Sequence, residues 1–242
     1  MFDGARIGVI VPAYREARLL GRMLAKIPPF VDAVYVVDDA SDDDTSRVAE
    51  NSGDPRVRCL VHERNRGVGA AIASGYRAAL GDGCDVLTVM AGDDQMHPGD
   101  LAPLVRAVLA GADYAKGNRF VHPDSARMPA LRRAGSELFS LLTRASTGLR
   151  VSDTQCGYTA LSARAASRLP LAELFPRYGY PNDLLGMLGA RGFRVVDVPV
   201  RPVYADERSG LRPWHAARIP LVIARRWWKE RRRDHATATG DR

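Results

Sequence analysis

Residues 86–98 read VLTVMAGDDQMHP and place a cluster of polar oxygens directly after an apolar run. The run 86–90 shows no polar alternation, which is typical of a strand buried on both faces of a sheet. Asp93, Asp94 and Gln95 follow at the carboxyl end of that strand, where open α/β sheets bind their ligands. Oxygen donors on a short turn suit Mg²⁺ or Mn²⁺ when phosphate supplies the other ligands. The alternative is that the two aspartates only cap the helix that follows.

Similar apolar runs precede this strand and alternate with helical patterns. The predicted strands are 7–11, 33–37, 57–62, 86–90 and 114–119, and the predicted helices between them are 16–27, 44–51, 70–80 and 101–110. This alternation is typical of a parallel sheet with right-handed crossover connections. The sequence therefore predicts an α/β fold with a mostly parallel sheet and helices on both faces.

The second half of the chain is less regular. Helices are predicted at 130–147, 162–169, 181–191 and 214–233, and an extended or looped polar segment at 151–159. The strand predicted at 195–203 contains Pro199 and Pro202, which favour a position at the sheet edge. The charged loop 205–213 suits a mobile lid. The last helix is expected to be interrupted at Pro220 and to be followed by a disordered tail at 234–242.

Composition and charge limit the class of protein. The chain has 242 residues, of which 46% are hydrophobic, and this is enough for a large core in one α/β domain. The formal net charge of +7 favours anionic partners such as nucleic acid, acidic lipid or phosphorylated small molecules. Cys59, Cys84 and Cys156 lack metal-type spacing and are too few for a disulfide framework. With no long apolar stretch and no signal region, we expect a cytoplasmic protein.

Polar loops recur at the carboxyl ends of the predicted strands. They are Pro12-Ala13-Tyr14-Arg15-Glu16, Asp38-Asp39, Asn65-Arg66-Gly67 and Asp93-Asp94-Gln95. Because the carboxyl ends of parallel strands lie at one edge of a sheet, we expect the four loops to form one site of the kind that binds nucleotides. This recurrence is stronger evidence than any one loop, since two glycines alone usually mark only a turn.

Six blocks of the sequence match a known family and appear in that family's order. They are VIVPAYREA, VVDDASDDDT, ERNRGVGAAIASGY, VMAGDDQMHP, AKGNRF and SDTQCGYTAL. The chain resembles the inverting family 2 glycosyltransferases of GT-A fold, and among them the dolichol- or polyprenol-phosphate mannose (or glucose) synthases. The resemblance implies a Rossmann-like GT-A sheet and the transfer of a sugar from a nucleotide sugar.

The resemblance also implies roles for individual residues. The nucleotide would be bound by Pro12, Ala13, Tyr14, Glu16, Asp38, Asp39, Asn65, Arg66 and Gly67. The metal would be held by Asp93, with Gln95 as an accessory ligand. The acceptor phosphate would be held by Arg119 and Ser136 with Arg132 or Arg133, and a basic loop with Arg208 and Arg212 would close over the diphosphate. The alternative for the arginines at 132 and 133 is a solvated helix face.

The sequence departs from the family at the metal turn. The family often has an Asp-x-Asp triplet, whereas here its first position is Ala91, and Asp94 stands where the family often has glycine. We therefore expect either fewer protein carboxylates around the metal or the recruitment of Asp94. Binding through few carboxylates is tolerated when the donor diphosphate supplies further oxygen ligands.

The acceptor decides whether a general base is needed. A lipid phosphate is already an anion and needs only positioning and charge compensation, whereas a sugar hydroxyl needs a carboxylate base. Asp183 is the first candidate base, with the alternative that it is a first-turn acid of its helix. Asp153 is the second candidate, with the alternative that it is a turn residue.

The predicted C-terminal helix is amphipathic. Its apolar residues are Ile219, Leu221, Val222, Ile223, Trp227 and Trp228, and its basic residues are Arg225, Arg226, Lys229, Arg231, Arg232 and Arg233. Basic amphipathic helices with tryptophan bind the membrane interface and anionic lipid. The alternative is that the apolar side packs on the domain while the arginines are solvated.

Together these features predict a metal-dependent inverting glycosyltransferase with Mg²⁺ or Mn²⁺. It would move a hexose from GDP-mannose or UDP-glucose to a polyprenyl phosphate, at the inner face of the cytoplasmic membrane. The expected regions are a main domain at 1–213, with a nucleotide-sugar half at 1–120 and an acceptor half at 121–213, the basic helix at 214–233 and the tail at 234–242.

Three rival functions remain open at this point. The first is transfer to a sugar hydroxyl in the assembly of a polysaccharide, glycolipid or natural product. The second is a sensor that binds a sugar nucleotide without catalysis, which the missing first aspartate of the metal turn would permit. The third is binding of nucleic acid through the basic end of the chain. We expect no nucleic-acid partner, because the arginines are concentrated at one end without interleaved aromatic residues.

Overall fold

The computed structural model describes residues 1–128, 130–203 and 213–239, without the side chains at 126–127, 130–132, 213–217 and 234–239. The strands are β1 (Ile7–Ala13), β2 (Ala33–Asp38), β3 (Val57–Val61), β4 (Val86–Val89), β5 (Tyr114–Asn118), β6 (Thr159–Ser162) and β7 (Val195–Pro199). The helices are α1 (Ala17–Leu24), α2 (Thr45–Glu50), α3 (Val68–Gly81), α4 (Leu101–Leu109), α5 (Ala130–Thr147), α6 (Ala163–Arg168), α7 (Tyr180–Ala190) and α8 (Pro213–Thr239). Short 3₁₀ turns lie at Pro98–Asp100, Pro123–Arg127 and Leu171–Glu173.

The strands form one sheet in the order β3-β2-β1-β4-β6-β5-β7. All neighbouring pairs are parallel except those made by β6, which runs antiparallel to both β4 and β5. The prediction of a mostly parallel sheet is confirmed, and β7 lies at an edge as its prolines indicated. The strand β6 was missed, because four residues between a polar loop and a helix give too short a pattern to identify.

Two hydrophobic clusters cover the two faces of the sheet, as the predicted helices on both faces require. Successive residues of β1 point to opposite faces. Val9 packs with residues of α1, α2 and α4 on one face. Ile10 packs with residues of α3, α6 and α7 on the other. The hydrophobic core therefore lies on both faces of the sheet.

The last helix, α8, differs from its prediction in two ways. It continues through Pro220 and ends at Thr239, beyond the predicted end at Arg233. Its helical backbone thus includes residues 234–239, where a disordered tail was predicted, and residues 240–242 lie outside the described part. α8 packs on α5 and α7. Among the described residues, no helix combines the length and the apolar character needed to cross a membrane.

The first turn of α3 is packed closely against the segment that precedes α7. A Cβ added to Gly69 would overlap the carbonyl oxygen of Phe175 and lie 2.9 Å from the Cβ of Tyr180. Gly67 has a φ of +97° and is similarly close to Pro176. These glycines therefore permit a backbone approach, which is more than the simple turn that glycines usually indicate.

We predict that Gly69→Ala lowers the free energy of unfolding by about 1–3 kcal/mol, because backbone atoms must move to accept the methyl group. Gly81→Ala in the same helix is the matched control, since a Cβ there meets no atom within 4 Å. That variant should be neutral or slightly stabilising. Urea unfolding of both variants measures the difference, and equal stabilities would contradict the close approach.

Candidate active site

The loops after β1, β2, β3 and β4 meet at one edge of the sheet. In the parallel ladders Ala13 is level with Asp38, and Asp38 is level with Val61. The N–H of Asp39 donates to the carbonyl of Ala13 at 2.9 Å, and the N–H of Gly92 donates to that of Pro12 at 3.3 Å. The predicted convergence of the four polar loops is present.

Asp39 fixes the turn that leads into α3. Its Oδ2 accepts the N–H of Gly67 at 2.6 Å, and its Oδ1 accepts the N–H of Arg66 at 2.8 Å. The same Oδ1 lies 2.6 Å from Nδ1 of His62, whose Nε2 lies 3.0 Å from the hydroxyl of Ser74. The carboxylate is buried, and its contacts hold the protein's own turn. Contact of Asp39 with a nucleotide stays a prediction.

Asp38 organises the loop after β2. Its buried Oδ1 accepts hydrogen bonds from the N–H and the hydroxyl of Ser41. This loop is joined to the one after β1, since the N–H of Glu16 donates to the hydroxyl of Thr45 at 2.9 Å. Arg15 pairs with Asp42 through two contacts of 2.6 Å, while Tyr14 is exposed. The first two loops therefore form a single wall of the site.

The two aspartates of the metal turn point in different directions. Oδ1 of Asp93 accepts the N–H of Gln95 at 3.1 Å within the turn. Asp94 has a φ of +58° and a side chain only 5% exposed, and Arg22 of α1 and Lys26 just after α1 each donate to it at 2.7 Å. Burial alone would raise the pKa of Asp94, but these two cations outweigh it and lower the pKa. This pairing disfavours the recruitment of Asp94 as a metal ligand, which stays a prediction.

Tyr178 is a site residue that the sequence did not reveal. It lies in the segment before α7, and burial together with the charges of Asp93 and Glu16 raises its pKa. Tyr178 therefore senses the charge of both carboxylates, while 39% of the residue remains exposed. The only sequence signal is the pair Pro176 and Gly179, which marks a turn.

The first candidate base, Asp183, lies in an ion pair. It is in the first turn of α7, and its Oδ1 and Oδ2 accept hydrogen bonds from Nε and Nη2 of Arg226, both at 2.8 Å. Oδ2 also accepts the N–H of Phe175 at 2.8 Å. The residue is 2% exposed. In this pairing Asp183 holds α8 and the segment before α7. A base must reach the proton that it removes, so the pairing disfavours Asp183 as a base, and that role stays a prediction.

The second candidate base, Asp153, is equally inaccessible. It is fully buried, and its two oxygens accept hydrogen bonds from Nε and Nη2 of Arg119 at 2.7 and 2.9 Å. Burial would raise the pKa of Asp153, but the hydrogen bonds and charge of Arg119 lower it below its ordinary value. Asp153 is thus the counter-ion of Arg119, and this pairing disfavours a role as base, which stays a prediction. Arg119, predicted to hold acceptor phosphate, forms a fork with this carboxylate.

The remaining predicted acceptor residues lie on or near α5. Ser136 is buried. Arg133 donates to Glu137 at 2.9 Å and lies 5.6 Å from the ring centroid of Phe120. The side chain of Arg132 and the predicted basic loop with Arg208 and Arg212 lie outside the described residues. Their phosphate-binding roles stay predictions.

Comparison with known proteins identifies the family of this chain. The sequence profile described as Glycosyl transferase family 2 matches residues 8–169. The chain belongs to glycosyl transferase family 2. It is therefore a glycosyltransferase, and the resemblance inferred from the six sequence blocks is confirmed.

Two named relatives match this family 2 glycosyltransferase over at least three quarters of each chain. It is 33% identical over 203 residues to an undecaprenyl-phosphate mannosyltransferase of Micrococcus luteus, covering 81% of this chain and 82% of the relative. It is 32% identical over 199 residues to a polyprenol monophosphomannose synthase of Mycolicibacterium smegmatis, covering 79% and 75%. These relatives are named for sugar transfer to polyprenyl phosphates.

A solved structure shares the fold. Glucosyl-3-phosphoglycerate synthase of Mycobacterium tuberculosis, in complex with Mn²⁺, UDP and phosphoglyceric acid, matches with a TM-score of 0.72. The match covers 93% of this chain and 79% of that one, with 22% sequence identity. This similarity confirms the GT-A-like architecture of the family 2 domain.

The metal turn offers few protein ligands. Within the described residues, no three His, Cys, Asp or Glu side chains come together as a metal site. Asp93 and Gln95 still fit Mg²⁺ or Mn²⁺, because such ions are commonly held by one or two carboxylates while substrate phosphates supply other oxygens. A metal ion held by Asp93 and Gln95 would therefore need further oxygen ligands from a bound substrate.

We predict that Asp153→Asn lowers the free energy of unfolding at neutral pH by about 3 kcal/mol, because Arg119 loses its buried counter-charge. Since the folded pKa of Asp153 is lowered, the carboxylate stabilises the fold above its unfolded pKa of about 3.9. That contribution is lost as the pH falls through the folded pKa.

Urea unfolding between about pH 7 and pH 3 measures this effect. The stability gap between the wild type and Asp153→Asn should narrow only on the acid side. Asp42→Asn is the matched control, because Asp42 forms an exposed pair with Arg15, and exposed pairs contribute little. A gap for Asp153→Asn that widens as the pH falls would contradict the prediction.

Proposed function

We propose that this glycosyltransferase moves a hexose from a nucleotide sugar to a polyprenyl phosphate, with inversion at the anomeric carbon. One observation carries the choice of acceptor: Asp153 and Asp183, the candidate bases, are both buried in two-point pairs with arginine. A sugar hydroxyl would need a base, whereas a phosphate monoester is already a nucleophilic anion. The names of the two bacterial relatives support the same acceptor class.

The nucleotide sugar would bind at the carboxyl edge of β1, β2, β3 and β4. Asp93 and Gln95 would hold Mg²⁺ or Mn²⁺ together with diphosphate oxygens, and the ion supplies charge stabilisation to the leaving diphosphate. The presence of Mn²⁺ and UDP in the structural relative supports this arrangement. GDP-mannose and UDP-glucose are the proposed donors, the first favoured by the mannosyl transfer named for both bacterial relatives.

The membrane would be met by the outer side of α8. Ile219, Val222 and Ile223 are buried against the domain, whereas Leu221, Trp227 and Trp228 are exposed. This division means that part of the predicted apolar side packs on the protein and part does not. Guanidinium groups stack on the exposed indoles, Arg231 on Trp227 at 4.2 Å and Arg232 on Trp228 at 3.3 Å.

Exposed tryptophan flanked by arginine is suited to the interface of an anionic bilayer. The neighbouring helix α5 adds two exposed leucines, Leu138 and Leu141. A surface of this kind would bring the domain to the phosphate of a lipid acceptor whose chain stays in the bilayer. We therefore propose peripheral attachment to the inner face of the cytoplasmic membrane.

We expect GDP or UDP to raise the melting temperature of the wild type, more strongly with Mn²⁺ or Mg²⁺ present, because a ligand that binds only the folded state stabilises it. In Asp93→Ala the metal-dependent part of this shift should disappear, together with hexose transfer to a polyprenyl phosphate. Glu50→Ala, which removes an exposed carboxylate at the end of α2, is the control and should retain both. A wild type stabilised by neither nucleotide would refute the proposed donor site.

We expect Trp228→Ala to weaken binding to vesicles that contain phosphatidylglycerol by about tenfold. The half-exposed indole would bury apolar surface in the interface, and this burial would contribute roughly 1.5 kcal/mol to the binding free energy. Leu109→Ala removes an exposed apolar side chain from α4 and should leave vesicle binding unchanged. Sedimentation with vesicles of rising anionic content measures both. Equal binding by the wild type and Trp228→Ala would exclude this surface.

A further inference from the structure

The guanidinium of Arg226 connects α8 to residues 173–178, called here the linking segment. Arg226 is 3% exposed and forks Asp183 with two contacts of 2.8 Å. Its Nη2 also donates to the backbone carbonyl of Glu173 at 3.0 Å, and its Nη1 donates to Glu230 at 3.0 Å. One buried cation therefore bridges α7, α8 and the start of the linking segment.

Asp183 extends this connection by one more hydrogen bond. While it pairs with Arg226, its Oδ2 accepts the N–H of Phe175 at 2.8 Å. Burial would lower the pKa of Arg226, but its hydrogen bonds and charge interaction with Asp183 raise the pKa. The cation therefore stays charged, and both ends of the Glu173–Phe175 backbone are fixed by the same pair of side chains.

The other end of the linking segment lies at the nucleotide edge. The carbonyl of Pro176 accepts the N–H of Ala70, in the first turn of α3, at 3.1 Å. Nη1 of Arg177 donates to Oδ1 of Asn65 at 3.4 Å. The linking segment thus contacts both the turn before α3 and the first turn of that helix.

We propose that Arg226 is a positioning residue for the nucleotide site. Through Asp183 and the Glu173 carbonyl it sets the linking segment, which in turn braces the turn before α3. The inference rests on the proposed function, because it takes this edge to bind a nucleoside diphosphate with metal. Through Arg226, the affinity for the nucleotide would also depend on how α8 packs on the domain, and α8 is the helix that carries the exposed tryptophans.

The competing interpretation is that Arg226 only attaches α8 to the domain. The double variant Asp183→Leu with Arg226→Met separates the two, because replacing both members of a buried ion pair by apolar residues is often neutral for stability. It removes every side-chain contact to the Glu173–Phe175 backbone that the pair provides. Arg191→Ala is the matched control, since Arg191 joins α7 to Glu230 of α8 but has no bond to the linking segment.

Two measurements on the full chain test the proposal. Calorimetry with GDP and UDP in the presence of Mn²⁺ should show an affinity about tenfold weaker for the double variant than for the wild type. Hydrogen exchange should become faster at the amides of Phe175 and Ala70. Arg191→Ala should change neither the affinity nor the exchange at these amides, even where its melting temperature falls.

Unchanged nucleotide affinity in a folded double variant would overturn the proposal. If the wild type binds neither nucleotide, the proposed function fails instead, and hydrogen exchange still decides whether Arg226 holds the linking segment: unchanged exchange in the variant overturns the inference. If the double variant does not fold, Arg226→Lys takes its place, because lysine keeps the charge but lacks the fork. Weaker nucleotide binding by Arg226→Lys supports the proposal, and wild-type affinity overturns it.

Discussion

The hydrogen bonds to the buried carboxylate of Asp39 are the interaction on which the candidate site depends, at the sheet edge where the loops after β1, β2, β3 and β4 meet. A carboxylate out of water must be compensated by hydrogen-bond donors, and here the donors are the backbone amides of Arg66 and Gly67. These bonds hold the turn into α3 against the end of β2. Because β1 lies between β2 and β4, the same constraint places this turn two strands from Asp93. The linking segment, from the second half of the chain, then contacts this turn.

Two buried arginine–carboxylate pairs connect elements in the second half of the chain. Arg119 with Asp153 ties the end of β5 to the loop before β6, and Arg226 with Asp183 ties α8 to α7. Such pairs are costly to desolvate, and breaking one partner leaves a buried charge. They also engage the two carboxylates predicted as candidate bases. This engagement supports the proposal of an acceptor that carries its own negative charge.

The sequence predicted most of the sheet because buried strands carry an uninterrupted apolar signal. β1 to β5 and β7 lie where the apolar runs indicated, with ends that differ by a few residues. The sequence did not reveal β6, because its four residues follow a polar loop. Its antiparallel partners, β4 and β5, are also distant from it in the chain. Site residues were less predictable. Asp94 meets Arg22 across 72 residues, and no local pattern reports such a contact. The contact of Arg177 with Asn65 likewise joins residues that are far apart in the chain.

The sequence by itself determined the alternation of strands and helices, the edge at which four polar loops meet, and the family to which these loops belong. Each follows from local periodicity or from short motifs that persist along the chain. Only the tertiary structure decided which carboxylates are paired with a cation. Asp93 and Asp94 are adjacent and chemically identical, yet a positive φ turns Asp94 toward α1. Asp183 is similarly assigned by an arginine 43 residues away, because charge pairing depends on packing between distant elements.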